Sequence, residues 1–322
     1  MVDQVARNET GVWFVAPELA SIRLDVFLRR SLPHLSGREI DLNIKAKLFL
    51  LDGKVAKKGA RLAAGARLEY TGPASWLAER PVAVPDLSAV VVYEDSSILV
   101  LDKPAGMATH GFSARHSATL ANYIAARWPD LLNVGKSRWE PGILHRLDIE
   151  TSGLILVAKN QTAFDRLRVQ FQQRQVRKTY WALVWGAADI QGTIDLPLEH
   201  DRQDRRRMRV AQTTRGSKHG RTWSAQTIYR KLAEAKGLSL LEIEMATGVT
   251  HQIRVHLAAV GHPIVGDGIY RGSSTEKFGL QRHFLHAKAL ELHHPEDNRK
   301  IAFEALLASE LESLLERLGI KS

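Results

Sequence analysis

The segment His145-Arg146-Leu147-Asp148-Ile149-Glu150-Thr151-Ser152-Gly153 runs straight into the apolar stretch Leu154-Ile155-Leu156-Val157-Ala158. A polar loop that leads into such a strand sets a carboxylate, Asp148, at the mouth of a sheet. A carboxylate there can act as nucleophile or base if its surroundings keep it ionised. The plain alternative is a turn in which Asp148 bonds backbone amides near Thr151. A second segment, Thr247-Gly248-Val249-Thr250-His251-Gln252-Ile253-Arg254-Val255-His256, opens a helix expected over 250–260. Thr250 would cap it, Ile253, Leu257 and Val260 would form its apolar stripe, and Gly261 would end it. Arg254 then lies one turn in, where it either pairs with a carboxylate and favours its charged form or stands exposed. A third segment is Arg177-Lys178-Thr179-Tyr180-Trp181. The two-residue strand period puts Lys178 and Tyr180 on one face, and Tyr180 could stack on a base or fill core. His251 and His256 diverge by about 140° on a helix. The later His283, His286, His293 and His294 lack regular ligand spacing, so no metal site is expected.

The elements that must hold these side chains are mixed. Apolar runs at 90–93, 98–102 and 154–158 have strand length, and Leu241, Ile243 and Met245 alternate with Glu242 and Glu244. A helix is expected over 162–174, with Phe164, Leu167 and Phe171 on one face. Regular strand–helix alternation is missing. The expected class is therefore α+β, with a large, mainly antiparallel mixed sheet and flanking helices. Pro73, Pro81 and Pro85 mark residues 73–85 as a linker between a small module, 1–72, and a larger unit, 86–322. The small module also reads as α+β. Ile22, Leu24, Phe27 and Leu28 form a helical stripe, Ser36 and Glu39 have capping-box spacing, and Asp52-Gly53 marks a tight turn.

Composition narrows the partner. The 322 residues carry 45 Lys plus Arg against 35 Asp plus Glu, a net charge of +10. Residues 20–72 hold 11 basic and 5 acidic residues, and residues 201–230 hold 9 and 2. Arg38, Lys54, Lys57, Lys58 and Arg61 lie in the first block. Arg205, Arg206 and Arg207 lie in the second, which reads as a basic loop or hairpin tip. Two such blocks suit a polyanion, nucleic acid first. The chain has no cysteine, so disulfide scaffolds, zinc fingers and thiol catalysis are not expected. No apolar run has membrane-spanning length and the first ten residues do not read as a signal peptide, so a cytoplasmic protein is expected.

Arg23-Leu24-Asp25, the Leu32-Pro33 and Ser36-x-Arg38 pieces and Gly53-Lys54-Val55 resemble the alpha-L RNA-binding domain, first seen in a small-subunit ribosomal protein. Over residues 90–300 the ordered pieces resemble the RluA family of RNA pseudouridine synthases. These are Leu101-Asp102-Lys103-Pro104-Ala105-Gly106-Met107 with His110, the His145–Gly153 block, Lys178-x-Tyr180, Thr250-His251-Gln252-Ile253-Arg254-Val255-His256, Gly261–Asp267 with Tyr270, and Leu285-His286-Ala287. Val249 stands where that family usually has Arg. The resemblance implies conversion of uridine to pseudouridine in RNA with no cofactor. It implies Asp148 as the catalytic carboxylate, Tyr180 against the base, Arg254 as ion-pair partner, and Arg146 filling the vacated stack or holding a phosphate. RNA is the expected partner, ribosomal RNA of the large subunit before transfer RNA, and a monomer is expected. Two rivals stand beside this reading. One is a non-catalytic RNA-binding or ribosome-assembly factor. The other is a glycosidase, which would call on a second carboxylate such as Glu150.

Overall fold

The two larger of three hydrophobic clusters among the described residues share no residue and organise the chain. The computed structural model describes residues 11–33, 35–78, 80–111, 116–204, 206–211, 221–245, 247–270 and 278–320. In the first cluster Leu24, Phe27 and Leu28 are buried along α1 (Leu24–Ser31), as their helical spacing predicts. Helix α2 (Gly37–Lys45) opens on the expected capping box. The Ser36 hydroxyl accepts from the Glu39 amide, and the Ser36 amide donates to the Glu39 carboxylate at 2.9 Å. Such a cap is worth about 1 kcal/mol. Strands β1 (Val12–Phe14), β2 (Phe49–Leu51), β3 (Lys54–Val55) and β4 (Arg67–Tyr70) form one sheet in the order β1-β4-β2-β3. Asp52 and Gly53, both at positive φ, join β2 to β3 in the two-residue hairpin their types favour.

The second cluster packs around a nine-stranded sheet. In chain order its strands are β5 (Val90–Glu94), β6 (Ile98–Lys103), β7 (Ser152–Ala158), β8 (Arg177–Trp185), β9 (Gln191–Asp195), β13 (Gln226–Ala235), β14 (Leu238–Met245), β15 (Leu285–His293) and β16 (Lys300–Glu304). Three short strands, β10 (Leu198–His200), β11 (Met208–Val210) and β12 (Thr222–Trp223), form a separate small sheet. The large sheet runs β5-β6-β7-β15-β8-β14-β13-β9, with β16 beside β15. Every described pairing between these strands is antiparallel except β7 with β15. Strand β7 is buried along its whole length, as its unbroken apolar run requires of a central strand. Helices α3 (Leu120–Arg127), α4 (Gln161–Gln172), α5 (Gln252–Ala259) and α6 (Ser309–Leu318) complete the unit. Among the described residues no helix is long and apolar enough to cross a membrane.

The reading of helix α5 needs correction at its start and at the end of its buried stripe. Helix α5 starts at Gln252 and its N-cap is His251, at φ 55°, not Thr250. The Gln252 side chain explains the shift. Its carbonyl oxygen accepts from the Thr247 hydroxyl at 2.8 Å and the Val249 amide at 3.2 Å, folding the 247–250 loop back on the helix start. Val260 is 41% exposed, beyond the last helical residue, so the buried stripe is Ile253 and Leu257. The 73–85 stretch is also less uniform than its prolines suggest. Trp76 stacks on Tyr70 at 4.7 Å in the first cluster, whereas the Val82 carbonyl accepts from Asn122 of α3 at 2.8 Å.

The place where the chain can be cut follows from this packing. A chain beginning at Pro81 keeps the Val82–Asn122 bond and should unfold in one cooperative thermal transition. Beginning instead at Asp86 should cost about a further 1 kcal/mol, because Asn122 loses its buried acceptor. Calorimetry on the two truncations measures the difference.

Candidate active site

The turn before β7 carries Asp148, and its backbone is tied down at every residue. The Thr151 amide donates to the Asp148 carbonyl at 3.1 Å, closing the turn through main-chain atoms without using the Asp148 carboxylate. The Thr109 hydroxyl donates to the Leu147 carbonyl and accepts from the Leu147 amide. Lys103, fully buried, donates to the carbonyls of Ile149, Met107 and Pro104 at 3.2, 2.7 and 2.9 Å. Arg282 donates to the Glu150 carbonyl and the Ser152 hydroxyl. His283 and His286 meet the hydroxyls of Thr151 and Ser152 at 2.8 and 2.9 Å, so these buried histidines serve the turn. Burial pushes the Lys103 ammonium down to about 7, and the nearby Asp148 charge opposes that. Gly153 is required here. Its φ is 113°, and a Cβ would stand 2.3 Å from the Ala287 carbonyl of β15.

From α5 comes Arg254, buried, with its guanidinium divided between two carboxylates. One terminal nitrogen donates to Asp148 Oδ2 at 2.9 Å. The remaining edge grips Asp267 bidentately at 2.7 and 3.0 Å. Asp267 also accepts from the amides of Ile269 and Tyr270. Burial alone would raise the Asp267 carboxyl, but the hydrogen bonds and charge of Arg254, helped by those amides, hold it below the ordinary range. Burial likewise disfavours the Arg254 cation, and the two carboxylates outweigh this, so its pKa is raised. The Tyr270 ring lies 5.2 Å from the Arg254 guanidinium, and its hydroxyl is 2.9 Å from His251 Nδ1. Burial lowers the His251 pKa, against the opposing charge of Asp148. His256 faces away, to Thr227 and the Leu196 carbonyl.

These groups meet in a cavity of about 630 Å³. Asp148, Arg146, Tyr180 and Arg254 all line it, as do Lys178, His145 and His251. Asp148 is the only carboxylate among the described lining residues, and Glu150 turns away, 3.4 Å from His283. Tyr180, 4% exposed, presents its side chain from β8. Burial first, and the Asp148 charge second, raise the phenol pKa, so it stays protonated. His145 accepts from the Leu156 amide through Nε2, and burial with the charge of Lys178 lowers it to about 3, so its ring is neutral. Arg146 is exposed at the cavity's rim.

The basic candidates divide. Arg38, Lys54 and Lys57 are exposed, Lys58 pairs with Asp41, and Arg61 donates to the Ser21 carbonyl. Arg206 pairs with Asp204 on the turn joining β10 to β11. Arg207 donates to the Ile269 carbonyl and lies 5.7 Å from the Tyr270 ring. Arg205 lies outside the described residues. Arg29 and Lys45, which carry no motif of their own, line a groove with Arg38. Asp267, Lys103 and Arg282 join the site without having stood out in the sequence as parts of it. Asp267 and Lys103 lie inside the family-like segments, whereas Arg282 had no signal beyond adjoining the late histidines.

Comparison with known proteins identifies the family. Residues 97–259 match the family model for RNA pseudouridylate synthases. An uncharacterised RNA pseudouridine synthase of Chloroflexus aurantiacus is 41% identical over 98% of this chain and 96% of its own. The ribosomal large subunit pseudouridine synthase D of Pseudomonas aeruginosa is 34% identical over 94% of this chain and 93% of its own. The solved structure of human RNA pseudouridylate synthase domain containing 1 aligns with a TM-score of 0.53 at 25% identity. It covers 73% of this chain and 96% of that one. The chain belongs to the RluA family of RNA pseudouridine synthases and is an enzyme of that class.

Asp267 offers a test of the site's architecture. Asp267→Asn should lower the single-turnover rate by about ten- to a hundredfold, because Arg254 loses its charge-assisted anchor, while RNA affinity stays within a few-fold. Arg254→Lys should be impaired as well, since an ammonium cannot hold one carboxylate bidentately and reach the other. Single-turnover rates with saturating RNA, beside thermal denaturation of each variant, check both.

Proposed function

We propose that this enzyme converts uridine to pseudouridine in large-subunit ribosomal RNA, with Asp148 as the group that carries the chemistry. The bond from ribose C1′ to uracil N1 breaks, the base turns, and C5 bonds to C1′. The proton on C5 is lost and N1 gains one, so the product is an isomer. The observation that carries this reading is that the one carboxylate among the described residues lining the cavity, Asp148, accepts a 2.9 Å hydrogen bond from the buried Arg254 guanidinium. A glycosidase would be expected to bring a second carboxylate to manage water, and Glu150 does not line the cavity. The target base must leave its stack to enter such a pocket. Tyr180 would then lie against it, and Arg146 at the rim would occupy the vacated space or hold a phosphate.

The ribosomal preference rests on the Pseudomonas aeruginosa relative, whose name specifies the large subunit. A basic accessory module also suits a large structured RNA. In this reading residues 1–72 are an alpha-L-type grip, residues 86–322 are the catalytic domain, and the enzyme works as a cytoplasmic monomer. Arg38, Lys54, Lys57, Lys58, Arg61 and the 205–207 arginines bind phosphates.

Mapping pseudouridine in total RNA from cells with and without this protein should show one or more large-subunit positions unmodified in its absence. A change confined to transfer RNA would overturn the substrate, and no change anywhere would overturn the function. Asp148→Asn should bind RNA within a few-fold of wild type and show no turnover, so normal turnover by that variant removes Asp148 from its role. Deleting the small module should make the dependence of affinity on salt shallower. The slope should fall by roughly one for each phosphate that the module neutralises, and an unchanged slope would remove the module from RNA binding.

A further inference from the structure

The cavity holds a buried cation that the chemistry above does not use. Lys178, 8% exposed, lies on β8 two residues from Tyr180 and lines the same cavity. Its ammonium has one long hydrogen bond, 3.4 Å to the Thr247 carbonyl, and stands 6.0 Å from the Phe171 ring centroid. Among the described residues the other groups packed around it carry no negative charge. His145 is neutral, Met245 and Leu290 sit opposite it on β14 and β15, and Gly248 leaves its side of the slot open. Burial lowers the Lys178 pKa to about 8. Arg146 and Arg174 line the same cavity. Among the described residues neither they nor Lys178 takes part in an ion pair, in contrast to Arg254 with its two carboxylates.

The cavity therefore holds two kinds of cation. Arg254 is matched by Asp148 and Asp267. Lys178, Arg146 and Arg174 have no ion-pair partner among the described residues, and Lys178 is buried. A buried ammonium with a single weak acceptor is costly to keep, and an incoming anion relieves that cost. An RNA strand brings one kind of anion, the phosphodiester. Two residues along a strand span about 7 Å, comparable to the reach from a nucleobase to its own backbone phosphate.

We propose that Lys178, with Arg174 and Arg146 toward the rim, seats a phosphodiester next to the uridine that is brought to Asp148. The inference rests on reading the cavity as the uridine site. Its test therefore measures binding alone, on an Asp148→Asn background, while turnover of wild type against Asp148→Asn tests the reading itself. The probes are the RNA fragment carrying the mapped uridine and copies in which one flanking phosphate at a time is a neutral methylphosphonate. Lys178→Met should weaken binding of the native fragment by about ten- to a hundredfold. One methylphosphonate copy should bind wild-type Lys178 equally weakly and weaken no further with Lys178→Met.

A pH series adds a readout that a merely structural lysine would not move. Phosphate favours the charged ammonium, so above the free lysine's pKa binding must take up a proton. Affinity should fall as pH rises from about 7 to about 9, and Lys178→Arg, charged throughout, should show a flatter profile. Unchanged affinity in Lys178→Met overturns the proposal. So does a strictly additive weakening on every methylphosphonate copy, which would point to a uracil carbonyl instead. If Lys178→Met fails to fold by thermal denaturation, the Lys178→Arg profile decides: a slope equal to wild type overturns the phosphate seat.

Discussion

Arg254 lies between two carboxylates, and the rest of the site depends on that arrangement. Removing a guanidinium from water costs several kcal/mol unless its charge is matched in place. Asp267 does the matching, with two short bonds from a fully buried side chain. Asp148 receives one bond, on one oxygen. The pair Arg254–Asp267 is close to neutral as a unit, so Asp148 is oriented without being quenched. Its other oxygen has no hydrogen-bond partner among the described residues. A lone Arg–Asp pair would have placed the full counter-charge on the group proposed to react.

Behind the carboxylate the same economy is applied to the backbone. A tight turn at the end of a central strand leaves carbonyls that the sheet cannot satisfy. Here the carbonyls of Leu147, Ile149 and Glu150 accept from Thr109, Lys103 and Arg282. One of the three donors, Arg282, is a buried cation, whose bonds to carbonyls are stronger than those of neutral donors. Asp148 is thus positioned by a turn whose main chain has little freedom to shift, which a reacting carboxylate needs more than a structural one does.

Much of this is legible in the sequence, for identifiable reasons. The mixed antiparallel sheet can be read because strand-length apolar runs recur without regular helices between them. That Arg254 could meet a carboxylate can be read from its place near a helix start, and the family resemblance supplies Asp148 as the partner. Asp267 is harder to see because a Gly-Asp pair reads first as a turn. Gly266 does take a turn conformation that favours glycine, at φ 79° with the Arg282 carbonyl 2.2 Å from where a Cβ would sit. Lys103 is hidden because lysine is ordinarily a surface residue, and only tertiary structure explains a buried one. The start of α5 is misplaced by a similar effect: the side chain of Gln252, reaching back over the preceding loop, overrides the local threonine in setting the helix entry.

Strand β15 has a consequence for how the protein comes into being. It begins at residue 285 yet sits between β7 and β8, the strands that follow Asp148 and carry Tyr180. Arg282, just before it, holds the Asp148 turn, and Asp267 anchors Arg254. During synthesis, strands β5 to β14 can emerge and pair while the middle of the sheet is still an open slot. Pairings this distant in sequence form late, because the chain must first close long loops. A nascent chain that ends before β15 therefore exposes basic surface without a finished pocket. It could touch RNA before it could alter it, and the insertion of one late strand is the step that separates those two conditions.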